Sequence, residues 1–200
     1  GGHSGIDIIK LNDISKGDTA NTKRISLHNH SGTHIDFPNH FLENGKFSSD
    51  YDADFWIFNN PYVIKISPDE DEIILLNKSL IETIPKQTDF LILNTGFYKC
   101  RGSEKFWNNN PGISPDLANL LKLRCPNLRV LGMDTISLTS YQNRILGRES
   151  HRKFLGENDI LLVEDMNLKN LTALPVKLMC FPILIKEVDG CPVTIIAEYE

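Results

Sequence analysis

The stretch HNHSGTHIDFPNHF, from His28 to Phe41, holds four of the chain's six histidines and an aspartate within fourteen residues. His30 and His34 stand four apart, the spacing of a helical two-histidine metal site. Gly32, Thr33, Ile35 and Pro38 in or beside that interval argue against a helix. In an extended chain alternate residues share a face, so His30, Gly32, His34, Asp36, Pro38 and His40 all point the same way. A straight strand would spread His30 and His40 over roughly 33 Å, at about 3.3 Å per residue, too far for one ion. Gly32 and Pro38 are the points where the chain can bend to gather them. Imidazole nitrogen and carboxylate oxygen suit Zn²⁺ or a similar divalent ion. Two imidazoles and one carboxylate also leave coordination room for water, whose pKa such an ion brings down to about 7. A nearby unligated histidine can then move protons. His28 shares the parity but precedes the dense part and reads as structural; His3 is left unassigned.

The remainder of the chain frames this cluster. Its 200 residues suit one domain, 40% of them are hydrophobic, and the formal net charge is −5. No Lys/Arg block stands out, so neither a nucleic acid nor an anionic membrane is an expected partner. No apolar run approaches the roughly 18–20 residues that cross a bilayer, and the N-terminus lacks a basic stretch followed by an apolar one. Cys100, Cys125, Cys180 and Cys191 show no CxxC spacing and read as thiols of a reducing compartment, which makes the expected location cytoplasmic.

Short β-branched runs predict strands over 6–11, 62–66, 89–94, 128–134, 159–165, 177–188 and 193–199. Asp189-Gly190 between the last two predicts a hairpin turn. A helix is expected over 114–124, with Ser114 as N-cap, Pro115 in the first turn and a stripe of Leu117, Leu120, Leu121 and Leu123. Shorter helices are expected over 79–85 and 149–156, and the polar, aromatic segment 98–112 reads as a loop that lines a pocket. Helices interrupting a majority of strands indicate a mixed α/β domain with one core. Asp134, at a strand end, reads as the cap of the turn that follows it, with a role behind a ligand histidine as the alternative.

The string H-x-G-T-H-x-D-x-P-x-H-F is complete here as His30, Gly32, Thr33, His34, Asp36, Pro38, His40 and Phe41. It resembles the signature of the cyclase-like metal-dependent hydrolases, which include bacterial kynurenine formamidase and isatin hydrolase. The segments 93–97, 111–121, 131–138, 151–168 and 189–199 are similar to the family's, in the family's order, so the resemblance covers roughly residues 20 to 200. It implies an α/β fold of the swivelling β/β/α type, a mixed β core with peripheral helices, as one domain over 1–200. It implies His30, His34 and Asp36 as metal ligands, His151 and Glu164 as the pair that joins Asp36 around a second ion, and His40 as proton donor and acceptor. The cofactor implied is Zn²⁺, one ion or two, with Mn²⁺ as the alternative. The partners implied are a small amide substrate and further copies of the chain, as a dimer or higher homo-oligomer.

The activity implied is arylformamidase, N-formyl-L-kynurenine to kynurenine and formate. Opening of another cyclic amide, lactam or ester is the alternative, and a non-enzymatic metal or small-molecule binding protein on the same fold is a third reading. Two departures stand out. The family's first strand and its Trp/Pro/Gly loop have no counterpart before GGHSGIDIIKL, and the spacing from His151 to Glu164 is one residue longer than in the formamidases.

Overall fold

The computed structural model describes residues 5–200; residues 1–4, including His3, lie outside the described residues. Strands β1 (Asp7–Asn12) and β2 (Thr22–Ser26) form an antiparallel hairpin of their own. In chain order there follow β3 (His34–Asp36), β4 (Ile57–Phe58), β5 (Pro61–Lys65), β6 (Ile73–Ile74), β7 (Phe90–Asn94), β8 (Gly112–Ile113), β9 (Val130–Met133), β10 (Leu161–Glu164), β11 (Lys177–Pro182) and β12 (Gly190–Glu198). Eight of these build one mixed sheet in the order β4-β11-β12-β3-β10-β9-β7-β5, while β6 and β8 make a small parallel pair. The strands β5, β7, β9 and β10 run parallel, and the short β3 lies antiparallel to both β10 and β12. Of the parallel strands, β7, β9 and β10 are buried on both faces, which is why they stand out as largely apolar runs in the sequence.

The sheet's two edge strands, β4 and β5, are separated in the chain only by Asn59 and Asn60. Two residues reach about 7 Å, so the sheet must curl until its ends meet. Side chains close the seam. The Asp89 carboxylate accepts the backbone N–H groups of Asn59 (2.9 Å) and Asn60 (3.1 Å). Arg129 donates to the carbonyls of Phe55 (2.7 Å) and Ile57 (2.8 Å), and its guanidinium lies over the rings of Phe55 and Phe58, 4.9 and 4.4 Å from their centroids.

Among the described residues four α-helices decorate this core: α1 (Lys78–Thr83), α2 (Glu104–Asn108), α3 (Asp116–Arg124) and α4 (Arg144–His151). The expected helices α1 and α3 are present, the first capped by the Asn77 side chain. Along α3 the buried residues are Leu117, Ala118 and Leu121, whereas Leu123 is 83% exposed and leaves the expected stripe. The segment expected as a loop contains α2, capped by Ser103. The expected helix over 149–156 is also corrected. His151 ends α4 instead of beginning a helix, and a π-helical turn, Arg152–Glu157, continues it. Gly147 inside α4 hid the helix start in the sequence, because glycine disfavours helix. The packing requires it, since a Cβ there would collide with Thr139.

An i→i+5 turn takes up one residue more than an α turn. The bond from Asn158 N to Lys153 O (3.1 Å) has that reach. At the other end of the chain β11 stops at Pro182 and β12 starts at Gly190, so Asp189-Gly190 is the entry to a strand and not a tight turn.

The seam generates a prediction. Asp89→Ala strands two backbone N–H groups and frees Arg129, and is expected to lower unfolding free energy by about 2–4 kcal/mol. Urea denaturation monitored by tryptophan fluorescence measures it; a loss below about 0.5 kcal/mol would show that the seam does not depend on this carboxylate.

Candidate metal centre

The bend anticipated at Gly32 is real: its φ of +64° is a left-handed conformation that glycine adopts without strain. It turns His30 back over the strand. Beyond Asp36 the chain turns again through a 3₁₀ turn at Pro38–His40. Between the two bends, His34 and Asp36 occupy one face of β3, with the apolar Ile35 on the other. Register then sets the neighbours, since Glu164 lies opposite His34 on β10 and Gly190 lies opposite Asp36 on β12. His151 arrives from the end of α4.

All five residues expected as ligands converge. His34, Asp36, His151 and Glu164 are buried at 4, 1, 3 and 4% exposure. The Nε2 atom of His34 lies 3.5 Å from Asp36 Oδ1 and 3.5 Å from Glu164 Oε2. The Nε2 atom of His151 lies 3.7 Å from Asp36 Oδ2 and 3.4 Å from Glu164 Oε1. These separations exceed good hydrogen bonds. They approach the roughly 3.3 Å edge of a tetrahedron whose metal–ligand bonds are about 2.0–2.1 Å long. Three groups of three, each with its ligand atoms within 4.8 Å of one another, could hold an ion: His30 with His34 and Asp36, Asp36 with His151 and Glu164, and, farther out, His30 with His40 and Asp189. Asp36 belongs to the first two.

The outer contacts prepare the same donor atoms. His34 Nδ1 lies 2.8 Å from the carbonyl of Gly32, and His151 Nδ1 lies 2.8 Å from that of Gly147. A carbonyl only accepts, so each Nδ1 carries a proton and each Nε2 is turned toward the carboxylates. Glu164 Oε1 is fixed by the N–H of Leu138 (2.7 Å) and the hydroxyl of Ser137 (3.3 Å).

Burial alone would lower the His34 pKa, but the neighbouring Glu164 and Asp36 carboxylates outweigh it and push it up to about 9. His151 is raised in the same way, against its burial, by Glu164 and Asp36. Glu164, which burial would raise, is held well below the usual carboxylate range by His151 and His34. The neighbouring Asp165 goes the other way, since burial raises it to about 6 despite the Arg101 guanidinium 2.7 Å away.

His40 stands beside this centre, its ring 4.1 Å from that of His30. Its Nδ1 lies 2.7 Å from Asp189 Oδ2, which also meets His30 Nε2 at 3.1 Å; His30 Nδ1 in turn lies 2.8 Å from Asp36 Oδ1. Asn29 donates to the other Asp189 oxygen at 2.7 Å. Asp189 escaped the sequence reading because Asp-Gly is also a turn signal. Gly190 beside it has a steric duty, as a Cβ would collide with the His30 ring. His28 is exposed and belongs to none of the groups of three. Asp134 is fully buried and does act as a cap, but of a different segment, accepting from Thr95 N and Oγ1 and from Tyr98 N after β7.

The curled mixed sheet thus carries two candidate ligand triads that share Asp36. The family model described as Putative cyclase matches residues 5–140, and the chain belongs to that family. It is 27% identical to cyclase-like protein 3 of Oryza sativa subsp. japonica, over 90% of this chain and 66% of that one. It is 25% identical to the kynurenine formamidase of Bacillus cereus, over 88% of this chain and 78% of that one. The chain thus spans about two thirds of the length of the plant cyclase-like relatives it matches. Isatin hydrolase A from Labrenzia aggregata superposes with a TM-score of 0.77 at 22% identity, over 98% of this chain and 86% of that one. A potential metal-dependent hydrolase with cyclase activity superposes at 0.69 with 18% identity, over 94% and 84% of the two chains. At these identities the solved structures establish the shared fold.

Gly190→Ala is expected to displace His30 and to cost about 1–3 kcal/mol of stability through overpacking. Thermal melts against the unaltered protein test this, and an unchanged melting temperature would show that the ring moves aside freely.

Proposed function

We propose that the chain is a zinc-dependent amide hydrolase of the arylformamidase type, cleaving N-formyl-L-kynurenine to kynurenine and formate. His30, His34, Asp36, His151 and Glu164 would hold the metal, and His40 would move the proton. The carrying observation is the convergence of two oriented Nε2 atoms and two carboxylates, all buried, around shared positions in the middle of the sheet. Such a donor set suits zinc. When bound, the ion would supply a water acidic enough to ionise near neutral pH and a positive charge for the carbonyl oxygen.

The chain's own residues supply the rest. With Nδ1–H donated to Asp189, His40 keeps Nε2 available to take the proton of the attacking water. The same atom returns it to the amide nitrogen as the C–N bond breaks. Asp189, itself anchored by Asn29, orients that ring. The pair also separates this reading from a purely binding protein, which has no use for an oriented proton carrier. Lactam opening of the isatin hydrolase kind is the second reading, and manganese is the ion to test beside zinc.

Formate release from N-formyl-L-kynurenine by zinc- and manganese-loaded protein is the direct assay. His34→Ala is expected to lose metal and activity together. His40→Ala is expected to retain metal and lose about 10²–10⁴-fold in kcat; full turnover would remove His40 from the mechanism. A second expectation concerns protons. In the metal-free protein His34, with a pKa of about 9, is charged at pH 7, and the stabilisation it gains from the carboxylates is lost as pH rises through 9. Zinc must displace that proton, so uptake should release protons at pH 7 and apparent affinity should climb with pH until about 9. Calorimetry in buffers of different ionisation enthalpy measures the release, and none at pH 7 would show that the metal-free site does not hold the proton on His34.

The hairpin β1–β2 favours self-association. A two-stranded hairpin is marginal alone, yet both faces of this one are exposed, with Ile8, Ile9, Leu11 and Ile25 at 45–59%. Counting the flanking Ile6, Ile14 and Leu27, the exposed apolar surface is on the order of the ~800 Å² each partner contributes to a standard interface. A second copy of the chain is the proposed cover. Sedimentation should show a dimer or larger assembly that Ile8→Lys with Ile25→Lys dissociates, and a monomeric unaltered protein would refute it.

A further inference from the structure

The helix that ends at His151 carries two cations without counterparts. Arg144, Arg148 and His151 stand at i, i+4 and i+7 and so share one face of α4. Arg101 and Arg129 are paired with Asp165 and Asp89, but Arg144 and Arg148 join no ion pair among the described residues. Both line a cavity of about 500 Å³, within the ~300–1,000 Å³ of small-molecule sites. Its other walls include Trp107, Tyr141 and Phe41, and no acidic residue lines it, although the chain as a whole is acidic.

The cavity abuts the metal centre. Phe41 stacks on the His151 ring at 4.2 Å, Ser137 Oγ lies 3.3 Å from Glu164 Oε1, and Thr139 Oγ1 lies 3.4 Å from His151 Nδ1; all three line the cavity. The Arg144 guanidinium rests 4.3 Å over the Tyr141 ring, which holds a flat donor group at the wall. A guanidinium fork matches the two oxygens of a carboxylate, and aromatic walls favour a planar ring.

We propose that Arg144 and Arg148 form a specificity subsite that reads a carboxylate on an aromatic amide substrate, beside the ions that would act on the amide. The inference rests on the amide-hydrolase reading above and can fail separately from it. The test compares 2-formamidobenzoate with formanilide, which lacks the acid, on zinc-loaded protein and its R144Q and R148Q variants. Preference for the acid, as the ratio of kcat/KM values, is expected to be at least about tenfold and to fall about tenfold in each variant, mainly through KM, as a charged hydrogen bond is lost. Arg148→Lys, which keeps the charge without the fork, should fall between, a graded response that misfolding does not give.

No preference in the unaltered protein overturns the subsite. A preference that survives both variants also overturns it, because the metal centre itself would then be reading the acid. If neither amide is cleaved, formate release from N-formyl-L-kynurenine decides the hydrolase reading, and benzoate binding by calorimetry decides the subsite alone. Binding weakened about tenfold by each variant and by added salt upholds it; binding unchanged, or no binding to the unaltered protein, overturns it.

Discussion

Two carboxylates buried side by side govern this structure. Asp36 and Glu164 lie on adjacent strands near the middle of the sheet, at 1 and 4% exposure, with ligand atoms within 4.8 Å of each other. Two like charges in a medium of low polarity are costly unless positive charge is placed between them. The histidines are the response available to the chain alone, since His34 and His151 take up protons more readily than usual because the carboxylates are there. A divalent ion is the more concentrated response. The pKa pattern of the metal-free site therefore reflects a demand for cationic charge, and the oriented Nε2 atoms indicate how a metal would satisfy it.

The first half of the site was legible in the sequence because it is local. The alternation of His34, Ile35 and Asp36 fixes one polar face, and Gly32 and Pro38 mark the bends by their backbone chemistry alone. His151 and Glu164 came from family resemblance. Nothing in their neighbourhoods announces a ligand, and the helix that carries His151 was obscured by Gly147 and extended by a π-helical turn. Asp189 and Gly190 were hidden by an ambiguity, since Asp-Gly is as good a turn signal as it is a strand entry. Only the antiparallel register of β12 against β3 shows that the small residue is there to admit the His30 ring.

The same division runs through the fold. The buried parallel strands were readable as apolar runs, while the curl of the sheet was not. Closure depends on Asp89 and Arg129 reaching across the β4–β5 seam to backbone groups of residues 55–60, contacts with no periodic signature. The sequence does contain the spacing of Arg144, Arg148 and His151 on one helix face, but its meaning depends on the cavity that the two arginines line and on its lack of an acidic lining residue.

The origins of the candidate ligands explain how site and fold are coupled. His30, His34 and Asp36 come from one bent segment, Glu164 from the next strand, and His151 from a helix end fixed by the carbonyl of Gly147. No sub-structure smaller than the folded β3–β10–α4 unit contains the whole set, so an ion bound there is bound by the native state and scarcely by the unfolded chain. Binding of that kind stabilises by mass action, by about 2.7 kcal/mol when free ion exceeds its Kd a hundredfold. That gain would offset part of the cost of burying Asp36 and Glu164, so the arrangement that would serve chemistry also has a thermodynamic reason to persist in the middle of the sheet.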